Sequence, residues 1–153
     1  MMRKATKEDA AIILEVMLAA FQKYEKDPYP SSALQETVAS IEADMNAGQN
    51  ALLYKENDEY VGMVRYELNE DELYFRRLSV IPAMQGKGIA KKMVKALEEI
   101  AQQEGKQRVG CRVRKSEKGN LQLYTSVGFE RIGEEWFDRE GGPMLIVKME
   151  KEL

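Results

Sequence analysis

A chain of 153 residues has the length of one domain and can bury about two thirds of its unfolded surface without staples or metal. Its 44% hydrophobic and 32% charged residues exclude disordered and collagen-like chains, and no apolar run approaches the ~18 residues of a membrane span. A formal charge of −3 argues against nucleic acid as the main partner, because phosphate binding needs a clustered basic surface; it mildly favours cationic over anionic small molecules.

The start, Met1-Met2-Arg3-Lys4-Ala5-Thr6-Lys7, lacks an apolar signal core. The single cysteine cannot form an internal disulfide. Both features point to the cytoplasm, away from membranes. The absence of histidine removes Ser-His-Asp and Cys-His nucleophile pairs, an imidazole base and histidine-ligated zinc. With one cysteine there is no cysteine-rich metal site either, so no metal is expected. Chemistry falls to carboxylates, tyrosine, lysine, backbone amides and water.

Thr6 suits an N-cap, with Asp9 three positions on. Ile13, Val16, Met17, Ala20, Phe21 and Tyr24 then recur at the spacing of one helical face. Asp27-Pro28-Tyr29-Pro30-Ser31 ends that helix, since prolines and their predecessors resist helical geometry. Ser31 or Ser32 can cap a second helix with Leu34, Val38, Ile41 and Met45 on one face and Gly48 at its end. The rhythm changes to strands at residues 51–55, 60–68 and 72–80, divided by Asn57-Asp58-Glu59 and Asn69-Glu70-Asp71.

Helical periodicity returns at Ile89, Met93, Ala96, Leu97 and Ile100 and stops near Gly105. Residues 108–113 read as a strand, 117–126 as a short helix and 129–137 as a strand. Glu140-Gly141-Gly142-Pro143 turns the chain into a last strand over 144–149. No repeat or linker divides the chain, which predicts one α+β domain over residues 1–153 in the order β-α-α-β-β-β-α-β-α-β-β.

The stretch that carries chemistry is Leu78-Ser79-Val80-Ile81-Pro82-Ala83-Met84-Gln85-Gly86-Lys87-Gly88-Ile89-Ala90-Lys91-Lys92. A strand ends, a proline follows, and two glycines flank a lysine where an amphipathic helix starts. First-turn amides have no intrahelical partner and lie at the positive end of the dipole, which suits phosphate or diphosphate. Lys87, Lys91 and Lys92 add full charges. A Walker loop needs Ser or Thr after its Gly-Lys, where Gly88 stands, and the Rossmann pattern fails at its third glycine, here Lys91. The plain alternative is a solvated loop and helix face.

Gln85-Gly86-Lys87-Gly88-Ile89-Ala90 resembles the Q/R-x-x-G-x-G/A motif of the GNAT superfamily of N-acyltransferases, and Leu78-Ser79-Val80-Ile81-Pro82 resembles that family's L-x-V-x-P strand end. Leu123-Tyr124-Thr125-Ser126-Val127-Gly128-Phe129 is similar to its L-Y-x-x-x-G-F segment. The resemblance implies a mixed, mostly antiparallel, twisted sheet flanked by about four helices, with the fourth and fifth strands splayed apart. It implies acetyl-CoA, or a close acyl-CoA, as donor. The amides of residues 85–90 and Lys91 would hold the diphosphate, and Leu78 and Val80 would bond the pantetheine like an added strand.

Gly110, in the fifth strand, fits a bulge or close backbone approach. Where the family often has asparagine, seven residues before the tyrosine, this chain has Glu117; Asn120 is the substitute cofactor contact.

By its place in the family motif, Tyr124 is the acid that protonates the leaving thiolate. The alternative is a tyrosine that packs a helix on the sheet. An alkylammonium of pKa ~10.4 costs about 4.6 kcal/mol to deprotonate at pH 7, so a carboxylate or water should assist. Glu67, Glu72 and Asp27 qualify by location, and spacing does not choose among them. Cys111 alternates with Val109 and Val113, which marks a core residue rather than an acyl carrier.

Trp136 and Phe137 fit an acceptor pocket, a dimer contact or ordinary core packing. The expected activity is acetyl transfer to a primary amine, on a small molecule or a peptide. A non-catalytic acyl-CoA sensor and an unrelated nucleotide-binding protein are the alternatives, and a homodimer stays open.

Overall fold

The computed structural model describes residues 1–22, 32–139 and 142–153. Asp9 organises the beginning of the chain. Its carboxylate accepts the Thr6 backbone N–H at 2.9 Å and both terminal nitrogens of Arg3, on β1 (Met2–Lys4), at 2.9 Å each. One 3₁₀ turn, Lys7–Asp9, then leads into α1 (Ala10–Phe21), which buries Ile13, Val16 and Met17 as the spacing predicts and Ala10 besides, while Ala20 and Phe21 are half-buried. Tyr24 and the proline-rich break lie outside the described residues.

The second helix starts later than the serines predict. Ser32–Gln35 forms a separate 3₁₀ turn, and α2 (Val38–Asn46) is capped by Thr37. The Thr37 hydroxyl accepts the Ser40 N–H at 3.1 Å, and the Thr37 N–H donates to Ser40 Oγ at 2.9 Å. This reciprocal cap satisfies two otherwise orphaned groups. The break turns the apolar face: Ala33 and Ile41 are buried, while Val38 is exposed.

Strands β2 (Asn50–Glu56), β3 (Glu59–Leu68) and β4 (Glu72–Val80) form the expected meander. Asn57 and Asp58, with φ of +50° and +64°, make the tight turn between the first two. α3 (Ile89–Gln103) carries the chain across the sheet to β5 (Arg108–Arg114), which makes β4 and β5 parallel. α4 (Lys118–Ser126), β6 (Glu130–Arg139) and β7 (Gly142–Glu152) complete the described chain.

The seven strands lie in the order β1-β2-β3-β4-β5-β7-β6, and every neighbouring pair except β4–β5 is antiparallel. With four α-helices among the described residues, this is the expected mixed α+β architecture. One core joins α3 and α4 to the sheet through Phe75, Met93, Leu97, Tyr124 and Phe129. The other joins α1 and α2 through Ile13, Met17, Ile41, Leu53 and Met63. Gly62 sets how closely α3 approaches, because a Cβ there would lie 3.1 Å from the Met93 sulfur and 3.4 Å from Ile89.

Two features of β4 open the sheet. Only Glu72–Arg108, Leu73–Val109 and Tyr74–Gly110 pair in parallel before β5 diverges, which is the expected splay. Met63 pairs with Ser79 and Arg65 with Arg76, so Arg77 and Leu78 together oppose Val64 in a bulge. Arg77 there has φ +60°, a left-handed conformation that costs a non-glycine residue about 1–2 kcal/mol.

Gly110 is not bulged. A Cβ on it would meet the Glu72 carboxylate at 2.6 Å, so the close approach is made by a side chain of β4 rather than by cofactor.

The Asp9 cluster generates a pH prediction. Hydrogen bonds from Arg3 hold the Asp9 carboxyl down to about 2. A depressed carboxylate contributes stability that is complete above its ordinary value near ~4 and is lost as pH falls toward the folded value. Because Arg3 is partly solvated, Asp9→Asn should cost only about 1 kcal/mol at pH 7. Urea midpoints of the two proteins should converge as the pH approaches 2; equal midpoints at pH 7 would show that the cluster contributes nothing.

Candidate active site

β4 ends at Val80, and Pro82–Met84 forms a 3₁₀ turn that delivers the chain to Gly86 and Gly88, with φ of +79° and +80°. Gly88 is the N-cap of α3, and its carbonyl accepts the Lys92 N–H at 3.1 Å. The amides before Lys92 therefore point out of the helix start without intrahelical acceptors. A Cβ added at Gly86 or Gly88 would meet nothing within 4 Å, so this turn faces open space.

The turn walls a cavity of about 610 Å³. Leu78, Val80, Gln85, Gly86, Gly88, Ile89, Ala90, Lys91 and Asn120 line it, as does Tyr124. Lys87 is the exception among the expected cofactor residues and lies outside this wall. The Gln85 side-chain amide donates to the Val80 carbonyl at 3.0 Å, tying the turn to the strand end. Its backbone N–H is engaged as well, donating to the Pro82 carbonyl at 3.4 Å, so the amides left for an anion begin after Gln85 rather than at it as expected. Lys92 turns away to the Tyr54 hydroxyl, 3.5 Å distant.

A second cavity of about 580 Å³ opens between the splayed strands. Phe21, Leu78, Asn120 and Tyr124 line both cavities, so they form a shared wall. Tyr124 is only 5% exposed, and its ring meets Phe75 and Phe129 at centroid distances of 5.6 and 5.8 Å. It therefore packs α4 onto the sheet and also borders both chambers; the two roles weighed from sequence are compatible.

Among the described residues, the carboxylates lining the second cavity are Glu117 and Glu135. Neither was singled out as a base from the sequence. Glu117 stands at the N-cap of α4, and its only sequence signal was that it replaces the family's asparagine. Glu67 and Glu72 line neither cavity; Glu72 pairs with Arg108 at 3.2 Å. Asp27 lies outside the described residues. Phe137 lines the second cavity, whereas Trp136 is 69% exposed and packs in no core. Cys111 is buried, and its thiol is pushed far above the ordinary range, first by burial and then by Glu72.

A splayed parallel strand pair beside an amide-lined helix start is the arrangement that the resemblance to the N-acyltransferases implies. The chain matches the model of the Acetyltransferase (GNAT) family over residues 14–129, and it belongs to that family. Its fold is similar to that of a ribosomal-protein-alanine N-acetyltransferase from Brucella melitensis, with a TM-score of 0.78 and 18% identity over 100% of this chain and 99% of that one. A GNAT family acetyltransferase from Elizabethkingia anophelis with acetyl-CoA bound matches at TM-score 0.74 and 18% identity, over 100% and 97% of the two chains. A spermidine N-acetyltransferase chimera from Vibrio cholerae and hSSAT matches at TM-score 0.78 and 18% identity, over 99% and 95%.

No helix among the described residues is long and apolar enough to cross a membrane. No group of three or more His, Cys, Asp or Glu among them is placed to hold a metal ion.

Burial of Cys111 is directly testable. A thiol held neutral should react with maleimide at pH 8 at least ~100-fold more slowly in the folded protein than in urea. Rapid labelling of the folded protein would show that Cys111 is reachable from the chamber.

Proposed function

We propose that this protein transfers the acetyl group of acetyl-CoA to a primary amine, with residues 1–153 acting as one catalytic unit in the cytoplasm. The observation that carries this reading is the wall shared by the two cavities, in which Tyr124 lines both the chamber beside the helix start and the chamber between the splayed strands. Acetyl-CoA supplies an activated thioester, from which an attacking amine displaces the CoA thiolate.

The amides of residues 86–90 and the Lys91 ammonium receive the diphosphate. Leu78 and Val80 offer the pantetheine a strand edge that β5 no longer occupies. Asn120 borders both chambers and contacts the donor. Tyr124 gives its proton to the departing sulfur, a favourable match of a phenol of pKa ~10 with a positioned thiolate of ~8.5. Glu117 is the carboxylate that takes the ammonium proton, directly or through water. The names of the fold neighbours cover a polyamine and a ribosomal-protein alanine, so the fold alone leaves the acceptor class open.

Two substitutions test the two halves of the site. Tyr124→Phe keeps the ring in its aromatic cluster and removes one proton, so kcat should fall by ~10²-fold or more with little change in Tm or CoA affinity. A chemistry-limited kcat within about threefold of wild type would assign the proton to water. Gly88→Val forces a β-branched residue into a left-handed cap and should weaken CoA binding, read by calorimetry, at least ~10-fold. Unchanged affinity in the folded variant would remove the diphosphate from this turn. Tight CoA binding without turnover on any amine would instead mark a sensor.

A further inference from the structure

We propose that the acceptor amine carries a second, anionic group, a carboxylate or phosphate, which Arg76 and Arg112 hold in the 580 Å³ cavity. The inference rests on the acetyl-transfer reading and names the acceptor class for it. The overall charge of −3 favours cationic ligands, but the cavity inverts that sign. Its wall carries Arg76, Arg77, Arg112 and Arg114 against Glu117 and Glu135.

The arginines of the meander are unevenly compensated. Arg65 of β3 lies directly across from Arg76 of β4, a like-charge pairing that ordinarily destabilises a sheet. Arg65, at 1% exposure, donates to the Gln49 side-chain oxygen and the Asp44 carboxylate at 2.6 Å each, and to Glu36 as well. Glu36 also serves Arg77 at 3.4 Å. Arg76 lines the cavity with no carboxylate within ion-pair distance among the described residues. Burial pulls the Arg77 guanidinium below its ordinary value; Glu36 opposes that shift, and the neighbouring Arg76 and Arg65 add to it.

Arg112 adds a positioned donor. Its Nη1 donates to the Tyr74 hydroxyl at 3.3 Å, and its guanidinium lies 5.5 Å from the Tyr74 ring centroid. Its pairing with Glu135, at 3.6 Å between half-exposed groups, is loose enough to be exchanged for a ligand. Two guanidiniums on neighbouring splayed strands suit a carboxylate or phosphate, which accepts charged hydrogen bonds in a forked geometry. A ligand so held places its amine toward Glu117 and Tyr124. A polyamine would instead bring a second cation against Arg76.

The test uses amines matched in length and differing at the far end: a carboxylate, a phosphate, a neutral amide and a second amine. Acetyl-CoA turnover should give at least one anionic acceptor a kcat/KM ~10-fold above the amide and diamine. The better of the two anionic acceptors identifies the group. Arg76→Gln should remove that preference through acceptor KM rather than kcat, with acetyl-CoA KM unmoved, and Arg76→Lys should restore part of it. Equal or better turnover of the amide or diamine overturns the inference, as does a loss in Arg76→Gln that is carried by kcat.

Calorimetry of the same amines with the CoA-loaded protein separates the two readings. Turnover without anionic preference sinks this site and leaves the transferase. Tighter anionic binding that Arg76→Gln abolishes, without turnover, keeps the site and sinks the transferase. No preference in either assay overturns the proposal.

Discussion

β4 and β5 run parallel, pair at three positions ending with Tyr74 and Gly110, and then part. Beyond that point the β5-facing edge of β4 has backbone groups without a strand partner, and such groups seek water or a ligand. The bulge at Arg77 and Leu78 adds a local twist where the edge is free. Both cavities meet along this opening, and Leu78 belongs to both. Had the strands stayed in register to their ends, β4 would have spent its edge on β5 and no chamber would exist between them.

The rest of the fold holds that opening in place from two sides. On one face, Gly62 lets α3 settle against β3, which brings the start of α3 and its glycine turn beside the end of β4. On the other, Arg65 reaches from β3 to Glu36 before α2, Asp44 within it and Gln49 beyond it. A buried guanidinium is costly unless its nitrogens are met, and here each of the three nitrogens has an oxygen partner. The same Glu36 touches Arg77 in the bulge, so the strained residue and the helix layer share one carboxylate. This links the packing of α2 to the geometry of the site.

Charge divides the molecule in the same way. Acidic residues outnumber basic ones overall, 26 to 23, yet arginines of β4 and β5 converge on one cavity. Alternation puts Arg112 and Arg114 on the face opposite buried Cys111 and Val113, and Arg76 opposite Phe75, but the gap between the strands is lined from both faces, by these arginines and by Phe75, Cys111 and Val113 alike. Net charge governs long-range steering, whereas a bound ligand responds to groups within one Debye length, about 8 Å at physiological salt.

Local rules determined a large part of this protein. Helical and alternating periodicity placed most of the strands and helices, because burial of one face writes itself into spacing. The place of the glycine turn at the start of α3 was legible because its backbone geometry is local, and the place of Tyr124 on a short helix because it sits in a contiguous motif. The second helix was misread at its start, since two serines and a threonine are equivalent caps until Ser40 answers one of them.

What the tertiary structure alone decided involves partners far apart in the chain. Arg65 read as one more strand residue, and only folding brought Glu36 and Asp44 to it. Glu117 and Arg76 lie 41 positions apart and become neighbours across one cavity because β5 leaves β4 after three pairs. Spacing along a chain reports which face a residue takes, and the motif resemblance implied that β4 and β5 splay; neither records at which pair the strands part, and that position decides which distant side chains share a cavity.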